Sequence, residues 1–384
     1  MNWAAADDTE ESERRWPTLA VWTVVALFFL LSAIVQTWPL VSHAGDSIIS
    51  WPHRPEDSWM NLWNLWWVRN ALEGAHNPFH TDSLFYPQGA DLYMHTLATT
   101  NGVMSMPLQW ITGDVILSWN ILAIILFVLS GLATYALAYR ITANYMASLV
   151  AGYIFTFSPF VIMRLHGHWN IATVWPLPLF ALFLVRFQET GRLREAAAAG
   201  AAWSIITYNS LEYATDAGVF LGLFFLYWSI VYLLNADRGK RLRALWQAVP
   251  VVLVVWLVLT SPLLLPAFDS VRNNEVSTAP SGDAQSSDPL ALVTPSPLWG
   301  GGKLPEYPLP PGFNHFPPGD IENTVYLGIT PLILAGAGLL TVRRWKDPQV
   351  LWLVAFLGFT VLAFGPRLYL GDTKEFSLFG IEFT

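Results

Sequence analysis

Apolar residues along this chain gather into long runs, not into the alternation of half-buried strands. Nine runs approach or reach the roughly 20 residues that a helix needs to cross a bilayer. They lie at about Pro17–Leu40, Val115–Tyr139, Met146–Met163, Ile171–Val185, Ala196–Ser210, Ala217–Leu234, Ala248–Leu265, Val325–Val342 and Val350–Phe364. The pattern predicts an all-α polytopic membrane protein with about nine transmembrane helices. The first run is longer than the about 7–15 apolar residues of a signal-peptide core, so it reads as a retained helix. Two long polar stretches, residues 41–114 and 266–323, interrupt the runs. The expected organisation is a cytoplasmic tail over residues 1–16 and one transmembrane domain over residues 17–384.

The first long stretch carries EDSWMNLWNLWWVRNALEG, Glu56 to Gly74. At helical spacing Asp57, Asn61 and Asn64 form a narrow polar stripe, and Trp59, Trp63, Trp66 and Trp67 form a wide aromatic one. Such a helix is expected to lie along a membrane surface, rings in the headgroup zone and polar stripe facing water or a protein cleft. Asp57 has two readings, an N-cap before an apolar run or a working carboxylate, with Glu56 as the adjacent alternative. Further on, Pro78, Pro87 and Gly89 break helix while Phe79, Leu84, Phe85, Tyr86, Leu92 and Tyr93 supply packing. The loop is therefore expected to be an ordered cap, with a second apolar segment at Gly102–Ile111 and with His80, Asp82, Asp91 and His95 supporting its fold. The second loop is polar over Asn273–Asp288 and then rich in Pro, Gly and aromatics, which suits either a mobile lid or a tolerated insertion.

Composition narrows the function classes. Hydrophobic residues make up 54% and charged residues 12%, and the 20 Trp suit a bilayer interface. A net charge of −8 is not that of a nucleic-acid binder, and the absence of Cys excludes disulfides and thiolate chemistry. With the N-terminus inside, thirteen of the 20 Lys and Arg fall in short inner segments, as the positive-inside rule requires. All eight His and most acids then fall on the outer face. There, RLHGHWN places Arg164, His166 and His168 where they can meet a phosphate or a metal, or simply snorkel and be solvated at the interface. Glu322, beside Asp320, is a second candidate carboxylate or part of a helix cap, and Arg367 is one more cation for a phosphate. Asp57, Glu322, His166 and His168 are the candidate metal ligands, without an identifiable complete set.

The ordered segments DSWMNLWNLWWVRNAL, NPFHTDSLFYPQGADLYMH, ALAYRITAN, FTFSPF, RLHGHWN, TVWPLPLFALFLVRF and IENTVYLGITPLILA resemble the GT-C class of membrane glycosyltransferases. The likeness is to the dolichyl-phosphate-mannosyltransferase-like prokaryotic membrane proteins, and it covers nearly all of the chain from the first run to the ninth. It implies transfer of a sugar from a polyprenyl-phosphate-linked donor to an acceptor glycan, lipid or protein at the outer face of the cell membrane. Asp57 matches the class's acidic residue in the first outer loop, as general base or metal-linked carboxylate. Glu322 matches a carboxylate that some members carry in a late outer loop. Asn61, Asn64, Arg164, His166, His168 and Arg367 are the expected substrate contacts, and the resemblance admits a divalent Mg or Mn ion. Members of the class carry more spans and often a soluble outer domain, so this chain is expected to lack a C-terminal part. The lack of a glycine-rich nucleotide loop favours a lipid-linked donor over a nucleotide sugar. The alternatives are a transporter or flippase, which would call for midplane charges and repeats, and a catalytically inactive membrane scaffold.

Overall fold

The computed structural model describes residues 17–50, 55–234, 238–273, 287, 289–293, 325–342, 344, 347–364, 376–378 and 381–383. Glu322 and Arg367 lie outside them, as does most of the second long loop. The described chain is mostly helical, with two short antiparallel hairpins. Its residues fall into two compact units, one of residues 1–157, 165–221 and 228–277 and one of residues 158–164, 222–227 and 278–384.

The first unit begins with α1 (Leu19–Gln36), whose first turn is capped by the Thr18 hydroxyl accepting from the Val21 amide. Helices α2 (Glu56–Glu73) and α3 (Thr99–Thr112) occupy the first long loop. Between them strands β1 (His80–Thr81) and β2 (Ala90–Asp91) pair antiparallel, with His80 opposite Asp91. Helix α4 (Val115–Thr142) starts at Asp114, whose Oδ1 accepts from the amides of Ile116 (2.7 Å) and Leu117 (3.1 Å). Helix α5 (Tyr145–Thr156) starts at an Asn144 cap.

The third and fourth apolar runs are each broken. After α5 comes the short α6 (Pro159–Arg164), and α7 (Trp169–Ala172) precedes α8 (Pro176–Thr190). Proline explains both breaks. It has no amide hydrogen to continue a helix, and its fixed φ suits a first helical position, so Pro159 and Pro176 open new helices. The Ala-rich α9 (Leu193–Asn209) packs on α8, α3 and α11 (Arg238–Arg272), while α10 (Leu211–Leu233) is capped by Ser210. Helix α11 runs well past both expected ends of the seventh run and carries Pro250, Pro262 and Pro266 within it.

Six helical segments are long and apolar enough to cross a bilayer: Leu19–Gln36, Val115–Thr142, Tyr145–Arg164, Trp169–Thr190, Leu211–Leu233 and Gly239–Arg272. α1 shows the pattern that lipid solvation allows. It buries Val25, Phe29 and Ala33 along one stripe and exposes Leu19, Val24, Leu31 and Val35. A face this apolar suits hydrocarbon and not water. Close helix approach comes from glycine. A Cβ on Gly131 of α4 would lie within 2.4 Å of the Phe29 ring, and one on Gly152 of α5 within 2.6 Å of it. The fully buried Phe29 thus fills the space that two missing side chains leave between three helices.

The second unit contains the described apolar helices α12 (Ile329–Leu339) and α13 (Pro348–Ala363) and the hairpin of β3 (Phe376–Leu378) with β4 (Ile381–Phe383). At 11 residues α12 is shorter than the eighth run from which it was expected, while α13, at 16 residues, matches the length of the ninth. The amide of Ser287 donates to the Ala363 carbonyl (3.1 Å), and the Tyr227 hydroxyl donates to the Asp347 carbonyl (2.9 Å).

Candidate functional site

Helix α2 organises the candidate site, but the face that carries it is the inner one. Asn61 and Asn64 are buried, at 2% and 0% exposure, together with Ser58, Leu65 and Val68. Trp59 and Trp66 are exposed, Trp63 is half-buried and stacked on Trp67 (5.8 Å, 4° between planes), and Trp67 is buried. The Trp67 indole donates to the Pro78 carbonyl at 2.9 Å, which ties the loop to the helix. The expected aromatic stripe therefore splits in two, and the polar stripe is turned into the protein. The reason is a shortage of backbone partners. Loop carbonyls have no helix or sheet to bond to, and buried ones must find donors. The amides of α2 supply them.

Each polar residue of the stripe has a definite place. Asp57 lies in the first turn of α2, but the N-cap is Pro55, with no side-chain cap bond, so the capping reading of Asp57 is corrected. Its side chain is 47% exposed, and its Oδ2 lies 3.8 Å from His168 Nε2. The Ser58 hydroxyl donates to the His166 carbonyl at 2.9 Å. Asn61 Nδ2 donates to the carbonyls of Asp57 (2.7 Å) and Gly167 (2.8 Å). Asn64 Nδ2 donates to the Thr96 carbonyl (3.0 Å), and Asn64 Oδ1 accepts from His95 Nε2 (3.0 Å). Burial holds the His95 pKa below its ordinary value, so the ring is neutral and serves as that donor. Asn61 and Asn64 thus spend their amides on the protein's own backbone.

The segment 165–173, between α6 and α8, is anchored from several helices of the first unit. Besides Ser58 and Asn61 on α2, Asn101 of α3 donates to the Thr173 hydroxyl (2.8 Å). Asn209 of α9 donates to the Asn170 carbonyl (2.6 Å), and Tyr213 of α10 to the Ile171 carbonyl (2.7 Å). Trp169 within the segment is buried and bonded to the Leu165 carbonyl (3.0 Å). His168 is therefore presented by an immobilised loop. Ser58, Asn101, Asn209 and Tyr213 carry no mark in the sequence that separates them from other helix-surface residues. The one available signal was the Gly between two His in RLHGHWN. A Cβ on Gly167 would lie 3.3 Å from the Asp57 Cβ, so the loop passes directly under the carboxylate.

The remaining candidates have surroundings of their own. Arg164 is buried within the second unit, its guanidinium 5.2 Å from the centre of the Phe160 ring. The His166 side chain is half-buried, and its backbone, not its ring, provides the contact to Ser58. The loose cluster of four in the first loop separates. His80 bridges Asp91 (Nδ1 to Oδ1, 2.7 Å) and Asp82 (Nε2 to Oδ1, 3.3 Å) across the β1–β2 hairpin, while His95 belongs to Asn64. The hydrogen bond to Asp91, more than any other influence, raises the His80 pKa. Among the described residues no group of three or more His, Asp or Glu comes together that could hold a metal. Asp57 and His168 are two donors only, so the described residues do not make a metal centre.

The fold and this half-exposed carboxylate–imidazole pair define a membrane-embedded helical protein with an ordered polar cap built on α2 and α3. The chain belongs to the DUF6311 family, a domain of unknown function, whose model matches residues 69–381. The match begins inside α2, so it includes His168 and the anchors of its loop on α3, α9 and α10 but not Asp57, Ser58 or Asn61. No curated protein matches the chain.

Proposed function

We propose that this chain is an integral membrane glycosyltransferase that moves a sugar from a polyprenyl-phosphate-linked donor to an acceptor glycan, lipid or protein on the outer side of the cell membrane. The observation that carries the reading is the Asp57–His168 pair, with the carboxylate 47% exposed and the imidazole 3.8 Å away on a fixed loop. Few arrangements serve acceptor activation better than a carboxylate in reach of both solvent and an imidazole. In the step proposed, an acceptor hydroxyl oxygen bonds to the anomeric carbon and its proton passes to Asp57. The bond from that carbon to the lipid phosphate oxygen breaks, its electron pair staying on the departing phosphate. His168 is placed to take the proton onward from Asp57 once the pair closes on substrate, since catalytic hydrogen bonds are often long before the substrate binds.

The same proposal includes nine crossings with the N-terminus inside and the active face outward. Its support is the separation of charges. Arg140 pairs with Glu189, and Arg186 with Glu195, at the ends of α4, α8 and α9, in the segments that hold the basic residues. His80, His95 and His168 lie on loops at the opposite ends of those segments in the proposed topology. Glu322 and Arg367 stay in the proposal as a second carboxylate and a phosphate partner.

The test is turnover of a polyprenyl-phosphate sugar by the purified protein, with and without divalent metal. Asp57→Asn is expected to reduce transfer by about 10²–10⁴-fold, the range for a general base, while membrane insertion and folding are retained. Transfer at the normal rate by the folded variant refutes the role given to Asp57. Transport of the lipid or a solute without glycosyl transfer would favour the transporter reading instead.

A further inference from the structure

We infer that Asn61 is the positioning residue of the Asp57–His168 pair, acting with Ser58 as a two-point clamp on the loop that carries His168. The inference rests on Asp57 being the working carboxylate and adds the residue that sets its geometry. Asn61 is 2% exposed, so it does not meet substrate. Both hydrogens of its Nδ2 are used, one on the Asp57 carbonyl in its own helix and one on the Gly167 carbonyl in the loop. It therefore joins the residue bearing the carboxylate to the residue just before the imidazole. Ser58 holds the preceding carbonyl, that of His166, at 2.9 Å.

Residues 58 and 61 are three apart and share a helix face. Two bonds to consecutive carbonyls fix both the slide and the rotation of the loop against that face. Gly167 completes the arrangement, because a Cβ there would stand 3.3 Å from the Asp57 Cβ and 3.7 Å from its Oδ2. Asn61 Oδ1 is buried and has no hydrogen-bond partner among the described residues. Among the described residues the two donated bonds are the hydrogen bonds that orient the amide.

The chain contains no Cys, so a pair of introduced thiols can report this geometry. Asp57→Cys with Gly167→Cys would place two Cβ atoms 3.3 Å apart, close to the about 3.5–4.5 Å of a disulfide. In the full-length protein in detergent, this double variant is expected to form the disulfide on mild oxidation. Adding Asn61→Ala is expected to lower the cross-linking rate several-fold. In the chain that retains Asp57 and Gly167, Asn61→Ala is expected to lower kcat for sugar transfer by about 10–100-fold, as a displacement near 1 Å does, with KM little changed. Ser58→Ala should act in the same direction with a smaller effect, and it carries the test alone if Asn61→Ala does not fold. An unchanged cross-linking rate overturns the clamp. So does an unchanged kcat with a raised KM, which would make Asn61 a substrate contact. If no variant nor the wild type transfers sugar while cross-linking still falls, the clamp stands and the transferase reading fails.

Discussion

The seating of the site helix can be tested at one glycine. Gly102 of α3 lies where α2 comes closest, and a Cβ there would stand 2.6, 2.7 and 2.8 Å from the Cβ, Cγ1 and Cγ2 of Val68. Carbon atoms prefer separations of about 3.5–4.0 Å, so Gly102→Ala falls short by about 1 Å at three atoms together. Val68 is fully buried, and a β-branched side chain in a helix is held to one rotamer, so it cannot turn aside. Two effects oppose each other. Alanine gains about 0.8–1.0 kcal/mol over glycine in a helix interior. Overpacking costs about 1–3 kcal/mol, and three overlaps against a stiff neighbour put this site toward the top of that range. Overpacking wins, and the net loss is about 1–2 kcal/mol. Gly222→Ala in α10 is the control, because nothing lies within 4 Å of its added Cβ, and it is expected to be neutral or stabilising. Thermal unfolding in detergent, followed by tryptophan fluorescence, should show a midpoint several degrees lower for Gly102→Ala and none lower for Gly222→Ala. Val68→Ala in the Gly102→Ala background removes both Cγ contacts but leaves the two Cβ atoms 2.6 Å apart, so it should restore only part of the loss. If Gly102→Ala is as stable as wild type, or if Val68→Ala restores it completely, the close approach of α2 and α3 is refuted.

Three further outcomes are expected. Gly131→Ala should destabilise, because its Cβ would meet the Phe29 ring at 2.4 Å, and Phe29→Ala should make that second substitution nearly neutral; additive losses in a double-mutant cycle would exclude the contact. His95, held neutral by burial, takes up a proton more readily in the unfolded chain. Stability should therefore be full above the unfolded pKa near 6.5 and decline as pH falls below it toward the folded value, and a His95→Gln variant should lose that acid sensitivity in pH-dependent unfolding. His80 has the opposite sign, with a folded pKa raised mainly by its bond to Asp91, so hydrogen-exchange protection of the β1–β2 hairpin should be full below about pH 6.5, fall as pH rises through the folded value, and lose its pH dependence in Asp91→Asn with Asp82→Asn.

How far the sequence could be read depends on which solvent each element faces. The Ala-rich run became α9 and the segment at Gly102–Ile111 became α3, because both signals are local. The helix starts at Thr18, Asp114, Asn144 and Ser210 follow the ordinary capping rule. Asp57 resembled those residues, and it sits within the first turn instead because Pro55 is the cap and the helix begins at residue 56. The two faces of α2 were separable from periodicity, but their direction was not. Beside water, amides face outward. Here Asn61 and Asn64 face inward to loop carbonyls, and Trp59 and Trp66 face outward. Periodicity measures the contrast between faces and carries no sign. The pairing of Asp57 with His168 spans more than a hundred residues and depends on where a broken helix returns, which no local pattern encodes.

The long reach of those contacts also orders the making of the protein. During synthesis, Asn61 emerges 106 residues before the Gly167 carbonyl it binds, and Asn101 emerges 72 residues before Thr173. At roughly 5–20 residues per second, Asn61 waits on the order of 5–20 s for its partner in the loop. The loop then needs Asn209 and Tyr213, from a still later pair of helices, before its last carbonyls are satisfied. The cap therefore cannot mature as it leaves the insertion machinery. It is complete only when α9 and α10 have been delivered, so a chain arrested before α9 would carry the Asp57–His168 pair with the Ser58 and Asn61 bonds to its loop and still lack those from Asn209 and Tyr213.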